Sequence, residues 1–164
     1  MNKLSSILLL GDDRLRQICE AVKETELTQL SSTVAQMFEL IKAFRNTYGF
    51  GRAIAAPQVG CLKRFVVHRP YEDERWKVYY NPVITDKSQE MMELWDNCMS
   101  FPNLYVKLRR HTNIQLTYRD ASWNLQEEWL TGDDAELLQH ELDHLDGILS
   151  VDHARNGLDF KWVN

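Results

Sequence analysis

The most informative stretch of this sequence is QHELDHL, residues 139–145. It contains two histidines four residues apart, and on a helix such side chains leave the same face about one turn apart. That spacing lets two imidazole nitrogens reach one metal ion without bending the backbone. Glu141, next to His140 but offset around the helix, could reach a water molecule at the metal without being a ligand itself. We therefore predict that His140 and His144 bind a metal and that Glu141 serves as its acid–base group.

The residues around this run predict a helix over residues 132–146. Thr131 is suited to the N-cap, and the first turn carries acidic residues, which the helix dipole favours. Gly147 stands where a C′ glycine is common. Asp143, three residues after His140, is a candidate for orienting a metal ligand through a hydrogen bond.

Upstream, a second helix is predicted over residues 27–48, where apolar residues recur every three or four positions until Gly49 and Gly51. The sequence that follows favours strands, with β-branched and alternating apolar residues at Arg64–His68, Lys77–Tyr80 and Val106–Tyr118. A long helix, several strands and a late helix indicate an α+β fold. The length of 164 residues is that of one domain, so we expect residues 1–164 to form a single catalytic domain.

The charge balance argues against nucleic acid as a partner. The formal net charge is −5, whereas a nucleic-acid footprint needs clustered positive charge. Lys107, Arg109 and Arg110 form only a short basic stretch, which we interpret as a solvated strand edge.

The cysteines and the N-terminus favour a cytoplasmic protein without a membrane segment. Three cysteines, an odd number, argue against a disulfide framework and fit a reducing compartment. Cys19 and Cys61 are expected to be small buried hydrophobic side chains. The apolar run Ile7–Leu10 is too short for a signal peptide or a membrane span.

Two histidines leave a catalytic metal site one protein ligand short. A third histidine six residues after the second would complete a metzincin-type protease site, but that position is Ser150. A downstream glutamate ligand is also ruled out, because none of the 20 residues after His144 is Glu. The third ligand must therefore come from upstream, and Cys98 is the natural candidate as a thiolate.

Together with Cys98 and the HExxH run, other parts of the sequence resemble the peptide deformylase family, and the resemblance covers most of the chain. Three family motifs occur in order. The first, usually GxGxAAPQ, reads GRAIAAPQ at residues 51–58; the second, usually EGC(L/M)S, reads DNCMS at residues 96–100. The third, QHExDHL, is intact at residues 139–145. The resemblance implies a deformylase-like fold, with mixed or antiparallel strands around a central HExxH helix and one long N-terminal helix.

The resemblance also implies the chemistry. Cys98, His140 and His144 would hold one divalent metal ion, Fe²⁺ by preference, with Zn²⁺ or another ion as alternatives. Glu141 would act as general base towards water and then as general acid to the departing amine. The Gln58 side-chain amide and the Met99 backbone N–H would bind the oxygen of the tetrahedral intermediate. The products would be formate and a free amine.

The sequence departs from the family motifs where the substrate would lie. Arg52 replaces an apolar residue, Ala53 replaces a glycine, and Asp96-Asn97 replaces Glu-Gly. On the last helix, Asp133 and Glu136 occupy positions that are usually apolar and line the methionine pocket, so these carboxylates should face solvent or meet a polar or basic substrate group. The substrate-binding residues implied by the resemblance are Gly51, Arg52, Ala53, Asn97, Asp133, Glu136 and Leu137.

Three functional hypotheses follow from the sequence. The first is a deformylase acting on N-formylmethionyl peptides. The second is a deformylase-like hydrolase acting on another, small N-formyl substrate. The third is a metal-containing formyl-peptide binder without turnover, and Glu141 argues against it because a binder has no chemical need of that group.

Overall fold

The computed structural model describes residues 3–70 and 75–164. Two helices and eight strands organise this part of the chain. The helices are α1 (Leu27–Tyr48) and α2 (Gly132–Leu145). The strands are β1 (Ala53–Ala55), β2 (Phe65–His68), β3 (Lys77–Lys87), β4 (Met91–Asp96), β5 (Leu104–His111), β6 (Asn113–Arg119), β7 (Leu125–Thr131) and β8 (Phe160–Trp162).

A five-stranded antiparallel sheet, in the order β1-β2-β3-β6-β7, separates the two helices. Alternate residues of β2 explain the arrangement. Phe65 and Val67 pack in one apolar cluster with α1, whereas Val66 belongs to a second cluster with α2. Both faces of the sheet are therefore covered, which is why all four residues of β2 are buried and the first three, Phe65–Val67, are apolar.

A second sheet, in the order β4-β5-β8, covers the other side of α2. The prediction of strand at Val106–Tyr118 holds, but this stretch is two strands in different sheets, because the chain bends between β5 and β6. Gln139 secures the bend: its side-chain oxygen accepts from the His111 N–H at 2.9 Å, and its amide nitrogen donates to the His111 carbonyl, also at 2.9 Å. Gln139, the residue before the HExxH run, thus attaches α2 to the point where the chain passes from one sheet to the other.

The two predicted helices are confirmed, and so is the α+β class. Gly49 ends α1 in a left-handed conformation with φ +79°. Thr131 occupies the N-cap position of α2 in extended backbone, but its side chain makes no capping hydrogen bond. Neither helix, nor any other within residues 3–70 and 75–164, combines the length and apolarity needed to cross a bilayer.

One predicted surface feature is wrong. Arg110 does not belong to a solvated edge: its side chain is 4% exposed and points inward from β5, because it forms ion pairs with Asp96 and Asp143. Strand alternation explains the error, since Lys107 and Arg109 lie on the outer face while Arg110 lies on the inner one. Cys19 is buried as expected, and Cys61 is only partly buried.

Candidate metal centre and catalytic cavity

Three side chains from two segments converge under the second sheet. Cys98 follows β4, and His140 and His144 lie on α2; their ligand atoms are all within 4.8 Å of one another. Cys98 Sγ is 3.4 Å from His144 Nε2, and the two histidine Nε2 atoms are 3.2 Å apart. All three side chains are buried.

The spacing of these atoms fits a tetrahedral metal ion. With bonds of about 2.3 Å to sulfur and about 2.0–2.1 Å to nitrogen, neighbouring ligands of a tetrahedral zinc lie roughly 3.3–3.6 Å apart. Two of the three separations, 3.4 Å for Cys98–His144 and 3.2 Å for His140–His144, are close to that range. Because the cluster supplies three ligands, a fourth coordination position is left for water or substrate, as in catalytic sites.

Asp96, the last residue of β4, fixes the orientation of His140. Its Oδ2 atom lies 2.8 Å from His140 Nδ1 and also accepts from Ser150 Oγ at 3.0 Å and from Arg110 at 3.3 Å. A proton on Nδ1 leaves His140 Nε2 free to bind a metal. Burial opposes ionisation of Asp96, but His140 and Arg110 outweigh it and hold the pKa of this carboxyl well below its usual range.

Asp143, which the sequence suggested as the orienting group, has another role. Its Oδ2 accepts from Arg110 at 2.5 Å and lies 2.8 Å from His153 Nε2. Asp143 therefore positions the Arg110 guanidinium, which also contacts Asp96. The carboxylate in direct contact with His140 is that of Asp96. The sequence carried a signal for this role, since Asp96 occupies the acidic position two residues before Cys98 in the second motif.

Glu141 is placed as a buried proton-transfer group. The residue is 3% exposed, and its Oε2 atom has no hydrogen-bond partner among the described residues. Burial raises the pKa of Glu141 to about 7 in the metal-free chain. A buried carboxylate without a partner is costly unless a cation or substrate completes its environment.

Gln58 lies on the opposite wall, in the 3₁₀ turn after β1. Its Oε1 accepts from the Ala55 N–H at 2.9 Å, which fixes which way the amide faces. Its Nε2 donates to Ser100 Oγ at 3.0 Å and lies 3.6 Å from Cys98 Sγ. The amide N–H groups therefore point towards the metal ligands.

These groups face a cavity of about 320 Å³ between the segment before β1, the end of β4 and one face of α2. The lining contains all the residues proposed for catalysis and substrate binding, and two of the three proposed metal ligands: Gly51, Arg52, Ala53, Gln58, Asn97, Cys98, Met99, Asp133, Glu136, Leu137, His140 and Glu141. His144 lies behind this wall, in contact with Cys98 and His140. Sequence reasoning did not identify four further lining residues, Phe50, Leu94, Trp95 and Asp96.

The backbone that forms the cavity edge is held by α1. Arg45 donates to the Gly51 carbonyl at 3.0 Å and to the Arg69 carbonyl at 2.7 Å. Gly51 has φ +118°, and a Cβ there would lie 3.3 Å from the Phe44 ring. A glycine is therefore required both by the backbone conformation and by the close approach of α1.

The two acidic residues at the start of α2 that line the cavity differ in their surroundings. Asp133 is exposed at the edge of the cavity. Glu136 also lines the cavity but is only partly exposed, and its Oε1 accepts from Arg52 Nη2 at 2.9 Å. Two departures from the family motifs, 84 residues apart, therefore form one ion pair.

Two histidines and a cysteine converging beside a buried carboxylate, on the central helix of an α+β fold, define a metallohydrolase. Comparison with known proteins gives the family. A family model described as polypeptide deformylase matches residues 4–158. A peptide deformylase from Leptospira biflexa is 33% identical over 161 residues, which span 92% of this chain and 87% of that protein.

Solved structures agree. A peptide deformylase from Synechococcus elongatus, in complex with actinonin, superposes with a TM-score of 0.84 at 30% identity, covering 93% of this chain and 80% of the other. A Met-Ala-Ser-bound peptide deformylase from Acinetobacter baumannii gives 0.78 at 30% identity, covering 90% and 96%. The chain belongs to the peptide deformylase family, whose members are metal-dependent hydrolases that remove the N-formyl group from nascent peptides. It is a hydrolase of that type, which favours the first two hypotheses over the binder without turnover.

Proposed function

We propose that this cavity removes the formyl group from N-formylmethionyl peptides, with Cys98, His140 and His144 holding one divalent metal ion. The observation that carries the proposal is the convergence of these three side chains with the unpartnered Glu141 oxygen in one cavity. A relative that binds Met-Ala-Ser supports the choice of substrate, since that peptide is a deformylated product. A bound cation would supply Lewis acidity, acidifying a water molecule and polarising the formyl carbonyl.

Glu141 moves the proton that the reaction requires. Water adds to the formyl carbon, the C–N bond breaks, and the products are formate and a free amine. Glu141 accepts the proton from water and delivers it to the amine nitrogen. Its burial in the cavity wall keeps bulk solvent from competing for that proton.

Gln58 and Met99 stabilise the negative charge that develops on the formyl oxygen. The Gln58 amide is already held by Ala55 and Ser100, so it needs little reorganisation to donate to that oxygen. Met99 follows Cys98 in the sequence and lines the same cavity, which supports a role for its backbone N–H. Loss of one such donor typically costs about 2.7–4 kcal/mol in the barrier.

The metal is proposed to be Fe²⁺. A mixed thiolate and imidazole set accepts Fe²⁺, Zn²⁺, Co²⁺ or Ni²⁺, so affinity alone does not select among them. Anaerobic purification followed by elemental analysis tests the choice, and a preparation that contains zinc and is fully active without iron would contradict it.

The function is tested by formate release from formyl-Met-Ala-Ser. Glu141→Gln should retain a full complement of metal while kcat falls by roughly 10²–10⁴-fold, because only the proton transfer is lost. Retention of most of the rate would refute the role of Glu141. Cys98→Ala should lose metal, whereas Cys19→Ala, an equally buried thiol outside the site, should keep it. A full metal content in Cys98→Ala would remove Cys98 from the ligand set.

A further inference from the structure

The chain reverses direction after α2 and brings a serine back to the metal centre. Gly147 allows this turn, because its φ of +73° is a left-handed conformation that is easily reached without a Cβ. The residues that follow form a 3₁₀ turn, Ser150–His153. Ser150 is 2% exposed, and its Oγ lies 3.1 Å from Nδ1 of His140, which precedes it by ten residues.

The backbone around Ser150 is held on both sides. Leu149 is 1% exposed and packs in the apolar cluster that contains Cys98. The Leu149 N–H donates to Asp152 Oδ2 at 2.8 Å, and Arg16 forms an ion pair with the same oxygen. These contacts fix the turn without the Ser150 hydroxyl, which leaves that hydroxyl for another role.

The Ser150 hydroxyl completes a triangle of polar atoms with His140 and Asp96. Its Oγ lies 3.0 Å from Asp96 Oδ2 and 3.1 Å from His140 Nδ1, and these two atoms are 2.8 Å apart. A histidine that offers Nε2 to a metal carries its proton on Nδ1. Because the ionised Asp96 only accepts, the hydroxyl donates its one proton to the carboxylate and turns a lone pair towards Nδ1–H. Ser150 therefore contacts both members of the His140–Asp96 hydrogen bond.

The same geometry shows that Ser150 is not itself a metal ligand. His140 Nε2 is the nitrogen that faces the other ligands, 3.2 Å from His144 Nε2, whereas Ser150 contacts Nδ1. Ser150 stands at the position where a metzincin-type site would need its third histidine. The fold places this position behind the first histidine, on the side of the ring away from the metal ligands.

We propose that Ser150 is a positioning residue of the metal centre, whose hydroxyl holds the Asp96 carboxylate and the His140 ring in the orientation that directs Nε2 to the metal. The proposal rests on the proposed metal site and adds to it a residue that supplies neither a ligand nor a proton to the substrate. A purely structural role for the same hydroxyl would lower stability and leave metal affinity unchanged.

The test is the metal affinity of Ser150→Ala, measured by chelator competition with Zn²⁺. The affinity should fall about tenfold, at the lower end of the range for groups that orient a metal ligand, because the Asp96–His140 contact remains. The visible absorption spectrum of the Co²⁺-loaded protein provides a second measurement, since it reports the ligand geometry. The bands should shift in Ser150→Ala at saturating Co²⁺, because the His140 ring is held less firmly.

Ser88→Ala is the matched control. Ser88 is a partly buried serine outside the catalytic cavity, and its Oγ donates to the Glu90 carbonyl at 2.8 Å and accepts from the Asn113 N–H at 3.1 Å. Its removal should lower stability in urea unfolding of the metal-free protein, because these contacts are lost. Metal affinity should stay within about twofold of the wild-type value, and the Co²⁺ spectrum should not change.

The outcomes separate the positioning role from the metal site on which it rests. A Zn²⁺ affinity of Ser150→Ala within about twofold of the wild-type value would overturn the role of Ser150 and leave the ligand assignment intact. Equal losses of affinity in the Ser150 and Ser88 variants would also overturn it, because affinity would then follow stability. If Cys98→Ala bound Zn²⁺ as tightly as the wild-type protein, the proposed metal site would fail, and the role of Ser150 with it. A loss of affinity and a spectral shift in Ser150→Ala alone support the proposal.

Discussion

Replacing Asp96 by Asn should weaken metal binding and, separately, lower the free energy of unfolding of the metal-free protein. Three donors converge on one Asp96 oxygen, from His140, Ser150 and Arg110. The amide can still accept one hydrogen bond, but it removes the negative charge that holds the proton on His140 Nδ1. Loss of such a carboxylate typically lowers metal affinity about 10–100-fold, or roughly 1.4–2.7 kcal/mol.

The same substitution also costs stability. Removing one partner of a buried ion pair typically destabilises by about 3–5 kcal/mol. The value here should lie near the lower end, about 3 kcal/mol, because Arg110 keeps its 2.5 Å contact with Asp143. Metal affinity is measured by chelator competition, and stability by urea unfolding of the metal-free protein, so the two effects are separated.

Asp143→Asn is the matched control for this prediction. It removes the other carboxylate that contacts Arg110 but leaves the Asp96–His140 contact in place. It should lose stability while metal affinity stays within about threefold of the wild-type value. If the Asp143 variant lost as much affinity as the Asp96 variant, or if Asp96→Asn bound metal normally, the direct orientation of His140 by Asp96 would be refuted.

Two predictions concern stability outside the metal centre. Burial lowers the pKa of His68 to about 4, so the unfolded chain binds this proton first and stability falls as pH drops from about 6.5 towards 4. Between pH 7.5 and pH 4.5 this titration should lower the free energy of unfolding by about 2.5 kcal/mol. Urea unfolding over the same pH range should therefore show a loss about 2.5 kcal/mol smaller in His68→Leu than in the wild-type protein. Equal losses in the two proteins would contradict the prediction. Gly147→Ala should cost about 2–4 kcal/mol, because a Cβ there would lie 2.5 Å from the Arg16 carbonyl oxygen at φ +73°. Gly132→Ala, with φ +55° and no atom within 4 Å, should cost only about 1–2 kcal/mol, and equal costs would refute the clash.

The parts of the fold that could be predicted from sequence depend on local patterns. The bounds of α1 follow from its apolar periodicity and from Gly49, and both signals lie within the helix and its cap. The boundary between β5 and β6 could not be predicted in the same way, because no glycine or proline marks it. The bend at His111 depends instead on Gln139, a side chain 28 residues away that satisfies both backbone groups of His111.

The same distinction between local and long-range signals applies to the residues of the candidate site. His140, Glu141 and His144 could be proposed because helical spacing alone places them on adjoining parts of one surface. The role of Asp96 was missed, and Arg110 was interpreted as a surface residue. Their pairing depends on which face of each strand turns inward, and the sequence alone does not show that. A carboxylate in a motif and a basic residue on a strand are each ordinary until the fold brings them to 3.3 Å.

The Arg52–Glu136 pair shows why substrate preference is the hardest property to predict from sequence. Considered separately, each residue is a departure that could face solvent at little cost, and helix position alone suggested that Glu136 would meet a substrate. The fold joins them across the cavity, so the two substitutions compensate each other's charge and neither is tolerated alone at low cost. Replacing Arg52 alone would take from the partly buried Glu136 carboxylate its 2.9 Å ion pair, whereas replacing both residues leaves no such carboxylate.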